Sequence, residues 1–235
     1  MSQFMPVVGQ KFNKDGSLRY FPGSTIICDL SNSEAVLSEL IWAQDRFRKL
    51  PFAHKFGFLP PASFHMTVFD LICDQVRDEQ HWSSLLPLDM PLETADETLR
   101  GLVSKAHPPA NFVMQYTACF MRTVIGIELR PANDDVATLL RQYREEVSQL
   151  TGIRFPNFDT YKFHISLAYY LVRLSPEEDE ALKEVRMEVD ARLTKTLQTI
   201  NTGMPKFTLF NDMGAFKEFR TQLPQYELAD ITINR

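Results

Sequence analysis

Two short stretches of the chain, Phe64-His65-Met66-Thr67-Val68 and Phe163-His164-Ile165-Ser166-Leu167, repeat one order of residue types: aromatic, histidine, apolar, hydroxyl, aliphatic. Side chains alternate faces along a strand, so Ser63, His65 and Thr67 share one face, as do Lys162, His164 and Ser166. Each strand then buries its other face under helices and presents an imidazole beside a hydroxyl. Two such strands lining one cleft would aim two imidazoles at one phosphate. With an ordinary pKa of about 6.5, one histidine can take a proton from water while a second, protonated one gives a proton to the leaving oxygen. The hydroxyls of Thr67 and Ser166 would donate hydrogen bonds to the non-bridging oxygens. Such a reaction requires no metal and no cofactor.

The elements that must position these motifs also occur twice. Thr25 to Leu30, rich in β-branched residues after Pro22-Gly23, reads as a buried strand. A helix follows, with Ser31 and Glu34 at capping-box spacing and Val36, Leu37, Leu40, Ile41, Phe47 and Leu50 at helical intervals up to Pro51. After the loop 52–61 comes the first motif strand, Ser63 to Ile72. The pattern restarts with strands at Phe112 to Phe120 and Thr123 to Leu129. A helix opening near Asn133-Asp134 carries Val136, Leu139, Leu140, Tyr143, Val147 and Leu150 and ends at Gly152; a loop then leads to the strand Tyr161 to Tyr169. One ungapped offset of 99 (164 − 65) sets Ile26 on Ile125, Leu30 on Leu129, Leu40 on Leu139, Phe64 on Phe163 and His65 on His164. The correspondence decays at the end of the helix, where Phe47 falls on Glu146. The expectation is a single domain over 1–235 made of two repeated lobes, with repeat cores at 20–74 and 111–173. Residues 75–110 read as an insertion holding a helix from about Asp96 to Ala106. The remainder, 174–235, reads as a helix capped by Ser175-Pro176-Glu177-Glu178, then strands around Phe207 to Phe210 and Tyr226 to Ile233.

The 235 residues are 44% apolar and 23% charged, with 25 Lys and Arg against 30 Asp and Glu, a net charge of −5. This excludes collagenous, coiled-coil and disordered chains. It also disfavours a broad basic face gripping long nucleic acid, while a small anion in a local pocket fits. Cys28, Cys73 and Cys119 lie in apolar runs away from metal or redox spacing, as expected of buried thiols in a reducing compartment. No stretch approaches the ~18 apolar residues of a membrane span, and the start lacks a signal-peptide pattern, so the expected location is cytoplasmic, away from membranes.

The paired His65-x-Thr67 and His164-x-Ser166 motifs, each on a strand of a duplicated lobe, resemble the two-histidine (2H) phosphoesterase superfamily, which includes RNA 2′,3′-cyclic phosphodiesterases, also called 2′-5′ RNA ligase-like proteins. The resemblance covers the chain from about residue 20 onward and looks closest to a bacterial branch of unassigned substrate. It implies an α+β, bilobal fold: two pseudo-symmetric antiparallel-sheet lobes with outer helices flanking a central cleft. It further implies metal-independent opening of a cyclic phosphodiester, typically to a 2′-phosphate. The long insertion, Ser in the second motif and modest basic content depart from better-known members.

The expected catalytic residues are therefore His65, His164, Thr67 and Ser166, and the expected substrate is a small nucleotide or RNA-end phosphodiester. Lys162 and Ser63 stand on the cleft face two residues before each histidine. Phe69 and Tyr170 extend the alternation as base-stacking walls, and His54 and Lys55 sit in a loop that could close over the cleft with Phe56 and Phe58. Each of these also fits an ordinary strand or surface role. His81 and His107 receive none. A non-catalytic nucleotide- or phosphate-binding protein using the same cleft is the alternative from another class. A zinc or iron hydrolase fits poorly, because the motifs offer no nearby carboxylate.

Overall fold

The computed structural model describes residues 3–30 and 33–220. Ser31 and the strand expected at Tyr226 to Ile233 lie outside the described residues. In chain order the elements are β1 (Gly23–Asp29), α1 (Glu34–Arg48), β2 (Phe56–Phe58), β3 (His65–Cys73), α2 (Leu92–Val103), β4 (Val113–Met121), β5 (Val124–Pro131), α3 (Asp134–Thr151), β6 (His164–Tyr170), α4 (Pro176–Thr196), β7 (Ile200–Asn201) and β8 (Lys206–Phe210).

The strands form one eight-stranded sheet, all of whose pairings are antiparallel, in the order β7-β4-β5-β6-β3-β1-β8, with β2 also on β6. The two motif strands meet in the middle of that order. Their contact is a single pair, Met66 with Ile165, so the sheet is two half-sheets joined at a narrow seam. One half is β3-β1-β8 and the other is β7-β4-β5-β6, with the short β2 of the first lobe added on β6.

The offset of 99 recurs in the hydrogen-bonding register. In the first half Asp29, Cys28 and Ile27 pair with His65, Met66 and Thr67; in the second Glu128, Ile127 and Gly126 pair with His164, Ile165 and Ser166. Even the irregularity is repeated. Ile26 pairs with Phe69 while Ile27 pairs with Thr67, leaving Val68 as the extra residue of a β-bulge; Ile125 and Gly126 pair with Ala168 and Ser166, leaving Leu167 extra.

Helices cover the sheet face opposite the histidines, and their caps follow the sequence. Asn133 accepts from the Val136 amide to start α3, Gly152 ends it in the left-handed region at φ 66°, and Ser175 with Glu178 forms a capping box on α4. The insertion helix α2 starts four residues earlier than the spacing predicts, behind Pro91, and packs on α3, β1 and β8. The core is continuous across the seam: Leu40, Phe47, Met66, Ile125, Ile127 and Ile165 are all fully buried, each worth about 1.5–3 kcal/mol of transfer free energy.

Two polar side chains on the buried helix stripes cross-brace the seam. Gln44 of α1 donates from Nε2 to the Leu59 carbonyl of its own lobe and the Leu167 carbonyl of the other, both at 2.8 Å. Arg144 of α3 donates to the Phe158 carbonyl at 2.8 Å and the Val68 carbonyl at 3.0 Å. Leu59 and Phe158, like Val68 and Leu167, are 99 apart, so the same two carbonyls are held in each lobe. The carbonyls bonded across the seam belong to the bulge residues that follow the motif hydroxyls. Arg144 is buried among Phe69, Phe158, Tyr161 and Phe163, whose ring centroids lie 4.6–5.9 Å from its guanidinium carbon.

Candidate functional site

His65 and His164 open β3 and β6, and both line one cavity of about 420 Å³ together with Thr67 and Ser166. Counting antiparallel from the Met66–Ile165 pair sets His65 beside Ser166 and Thr67 beside His164 across the seam. Each imidazole is tethered alike: Nδ1 of His65 lies 2.6 Å from the Ser63 carbonyl, and Nδ1 of His164 lies 2.9 Å from the Lys162 carbonyl. A carbonyl only accepts, so Nδ1 carries the hydrogen in both rings and Nε2 is the nitrogen left to exchange a proton.

The surroundings then break the symmetry. After β8 the chain turns back over the cleft. Leu209 and Lys217 exchange backbone hydrogen bonds of 2.7 and 2.9 Å, and Arg220 pairs with Asp96 of α2. This turn lays Phe216 on His65 at 4.1 Å between ring centroids. Loss of water around His65 pushes its pKa down to about 4; the bond to Ser63 opposes the shift and the charge of His164 adds to it. His164 instead meets the edge of Phe120 at 5.4 Å. Phe120 lies over Gly126, where a Cβ would come 2.6 Å from its ring, so only glycine on β5 lets that ring through.

Several cleft residues come from segments far away in sequence. Lys11 reaches in from the N-terminal segment, its ammonium 5.1 Å from the Tyr169 ring centroid. Asp70 faces Lys11; desolvation raises its carboxyl and Lys11 opposes this. The Tyr161 hydroxyl shares a hydrogen bond with Thr67, and desolvation raises it well above the usual tyrosine range. From the insertion, His81 reaches the cleft wall, held by Asp78 at 2.8 Å and packed 5.2 Å from Phe155. Phe21, Phe155, Phe210 and Met213 complete a largely aromatic enclosure.

A second chamber of about 570 Å³ opens from the His164 side, sharing Asn157, Tyr161, Ser166 and Tyr169 with the first. Its other walls include Arg122, Thr123, Glu128, Thr160 and Lys162.

The structure therefore gathers His65, His164, Thr67 and Ser166 as expected from the motifs, and puts Lys162 at the edge, 3.3 Å from Glu128. The remaining candidates stand elsewhere. Phe69 and Tyr170 are buried in the core, because the bulges at Val68 and Leu167 reverse the alternation and turn Asp70 and Tyr169 to the cleft instead. Ser63 is buried and donates from Oγ to the Pro60 carbonyl at 2.8 Å; what it gives the site is its own carbonyl. Lys55 is paired with Glu178 at the start of α4 at 2.6 Å, and neither it nor the exposed His54 lines the cleft. Phe56 is buried against Tyr170, and Phe58 lies under Arg48, so neither is free to stack on a base. His107 is exposed on Glu146 at 2.7 Å. Sequence reasoning passed over Lys11, Asp70, Tyr161, Phe216 and the braces. Of these only the braces left a signal, Gln44 and Arg144 each falling four residues after a buried leucine on an apolar stripe.

Among the described residues no three His, Cys, Asp or Glu side chains gather as a metal donor set, and no helix is long and apolar enough to cross a membrane. No curated protein matches the chain. A solved structure of a conserved protein of unknown function, ATU0111 from Agrobacterium tumefaciens, is similar at 29% identity over 93% of each chain, with a TM-score of 0.85. TT0787 of Thermus thermophilus is 19% identical over 79% of this chain and 86% of its own, with a TM-score of 0.43. Residues 11–125, which contain the first motif, match the family model described as 2H-phosphodiest, a domain of unknown function (DUF1868). The first motif lies inside that match, and the second repeats it in register on β6, so it is over this first half that the chain is similar to the two-histidine phosphodiesterase family.

Proposed function

We propose that this phosphodiesterase-type protein opens a cyclic phosphodiester, the 2′,3′-cyclic phosphate of a nucleotide or short RNA end, by acid-base catalysis between its two histidines. The observation that carries the reading is the pair of imidazoles in one cleft, each fixed through Nδ1 to a carbonyl two residues upstream and each beside a hydroxyl.

His65, held neutral by its surroundings, takes the proton of an attacking water on Nε2 as the water oxygen bonds to phosphorus. A bound phosphodiester anion favours the imidazolium being formed and so strengthens a base that is weak in the empty cleft. His164 gives its Nε2 proton to the ring oxygen that leaves as the phosphorus–oxygen bond breaks. The proton gained by His65 and the proton lost by His164 balance, and exchange with solvent resets both. Thr67 and Ser166 donate to the non-bridging oxygens. The aromatic enclosure is sized for a nucleoside, since a cavity of about 420 Å³ falls in the usual small-ligand range. Resemblance to the superfamily supports a 2′-phosphate as product.

The test is turnover in EDTA of 2′,3′-cyclic mononucleotides, an oligoribonucleotide ending in a cyclic phosphate and ADP-ribose 1″,2″-cyclic phosphate, with products identified by phosphorus NMR. Formation of a monoester by the native protein, lost in His65→Ala and His164→Ala, supports the reading. No turnover across the panel, with nucleotide binding that survives either substitution, would leave the protein as a non-catalytic binder.

A further inference from the structure

We propose that the second chamber is a subsite for an additional anionic group, so that the substrate carries a second phosphate besides the one being cleaved: a cyclic-phosphate terminus whose 5′ oxygen is itself phosphorylated or joined to a further nucleotide. This rests on the phosphodiesterase reading and narrows it.

The two chambers share the seam but differ in chemistry. The first is walled by Phe21, Phe155, Phe210, Phe216 and Met213, surfaces that suit a nucleobase. The second has Phe120, Val124 and Tyr169 on its walls but adds a run of side chains that donate hydrogen bonds or carry positive charge, Arg122, Thr123, Asn157, Thr160 and Lys162, where the first has one ammonium, Lys11, against one carboxylate, Asp70. Two cations stand there against one carboxylate, Glu128, which Lys162 engages at 3.3 Å. Arg122 keeps its charge at any working pH, and among the described residues its guanidinium makes no ion pair. Its position is fixed by the tight β4–β5 turn, where the Arg122 amide donates to the Val124 carbonyl at 3.2 Å. A guanidinium with all its donors unspent, beside hydroxyls and an amide, suits bidentate capture of a phosphate. The chamber opens directly from His164 and Ser166, so a ligand whose cleaved phosphate lies between the histidines can extend a second phosphate into it. In the first half-sheet Asp29, the equivalent of Glu128, is likewise paired with a lysine, Lys206 at 2.7 Å, but the position matching Arg122 is Gly23.

The experiment compares calorimetric binding of adenosine 2′-monophosphate and adenosine 2′,5′-bisphosphate to the whole protein, to Arg122→Ala, to Arg122→Lys and to His164→Ala. The bisphosphate is expected to bind roughly tenfold tighter than the monophosphate at low salt, with the advantage shrinking as salt screens it. Arg122→Ala should abolish the advantage and leave monophosphate affinity unchanged, and Arg122→Lys should restore part of it. Equal affinities, an advantage that survives Arg122→Ala, or binding of neither nucleotide at millimolar concentration would overturn the subsite. Failure of the catalytic reading shows separately, as monophosphate binding indifferent to His164→Ala together with absence of turnover.

Discussion

Lowering the pH should cost this fold stability through one identifiable side chain, and the size of the effect follows from the cover over His65. In the folded protein His65 titrates at about 4, against about 6.5 when unfolded. Because the folded value is the lower one, the unfolded chain binds the proton first. The penalty is absent above about pH 7, sets in as pH falls through the unfolded value and is complete only below the folded one. Between pH 7.5 and pH 5.5 the unfolded state gains about 1.4 kcal/mol from this one imidazole. The ring is half-buried rather than sealed, and solvent screening trims that to about 1 kcal/mol. Urea unfolding of the native protein and of His65→Gln at both pH values isolates the contribution as a double difference, since all other carboxylates and histidines are common to both. A double difference of about 1 kcal/mol, with the native protein losing more, is the expected result. A value near zero would refute the claim that Phe216 and its neighbours strip water from His65.

Phe216→Ala should rehydrate His65, so the acid limb of the kcat/KM profile moves up toward the ordinary histidine range; an unmoved limb would show that the stacked ring does not tune the base. Thr67→Val and Ser166→Ala, each removing a donor to the phosphate oxygens, should each lower kcat by roughly 10²-fold with a smaller change in KM, measured by steady-state kinetics on a cyclic mononucleotide. Arg144→Met strips the partner from the Val68 and Phe158 carbonyls and should destabilise the protein by about 2 kcal/mol, a Tm loss of roughly 4–8 °C by calorimetry, with Gln44→Met acting in the same direction at the matching carbonyls.

What the sequence disclosed and what it withheld divide along a physical line. Local periodicity is written in neighbouring residues, so the helices opening at Asn133 and Ser175 and the strands at both motifs were legible. The offset of 99 was legible as well, because each lobe needs the same apolar positions to cover its half-sheet. A bulge leaves no such trace. One extra residue at Val68 and at Leu167 exchanges which side chain meets the cleft, and alternation read straight through it named Phe69 and Tyr170 where Asp70 and Tyr169 stand. Lys11, His81 and Phe216 come to the site from an N-terminal segment, an insertion and a C-terminal turn. Their places depend on tertiary packing, which no local pattern encodes. The shift of α2 has a simpler cause, since Pro91 offers an earlier start than the spacing of apolar residues suggested.

The account turns on two imidazoles acting as separate halves of one proton exchange. The most direct measurement is kcat for a single 2′,3′-cyclic mononucleotide, in EDTA, for the native protein, His65→Ala, His164→Ala and the double variant. Each single variant should lose about 10²–10⁴-fold, and the double variant should lose little more than the worse single one, since neither histidine works without its partner. Turnover within a factor of a few of the native value in either single variant would contradict the two-histidine mechanism.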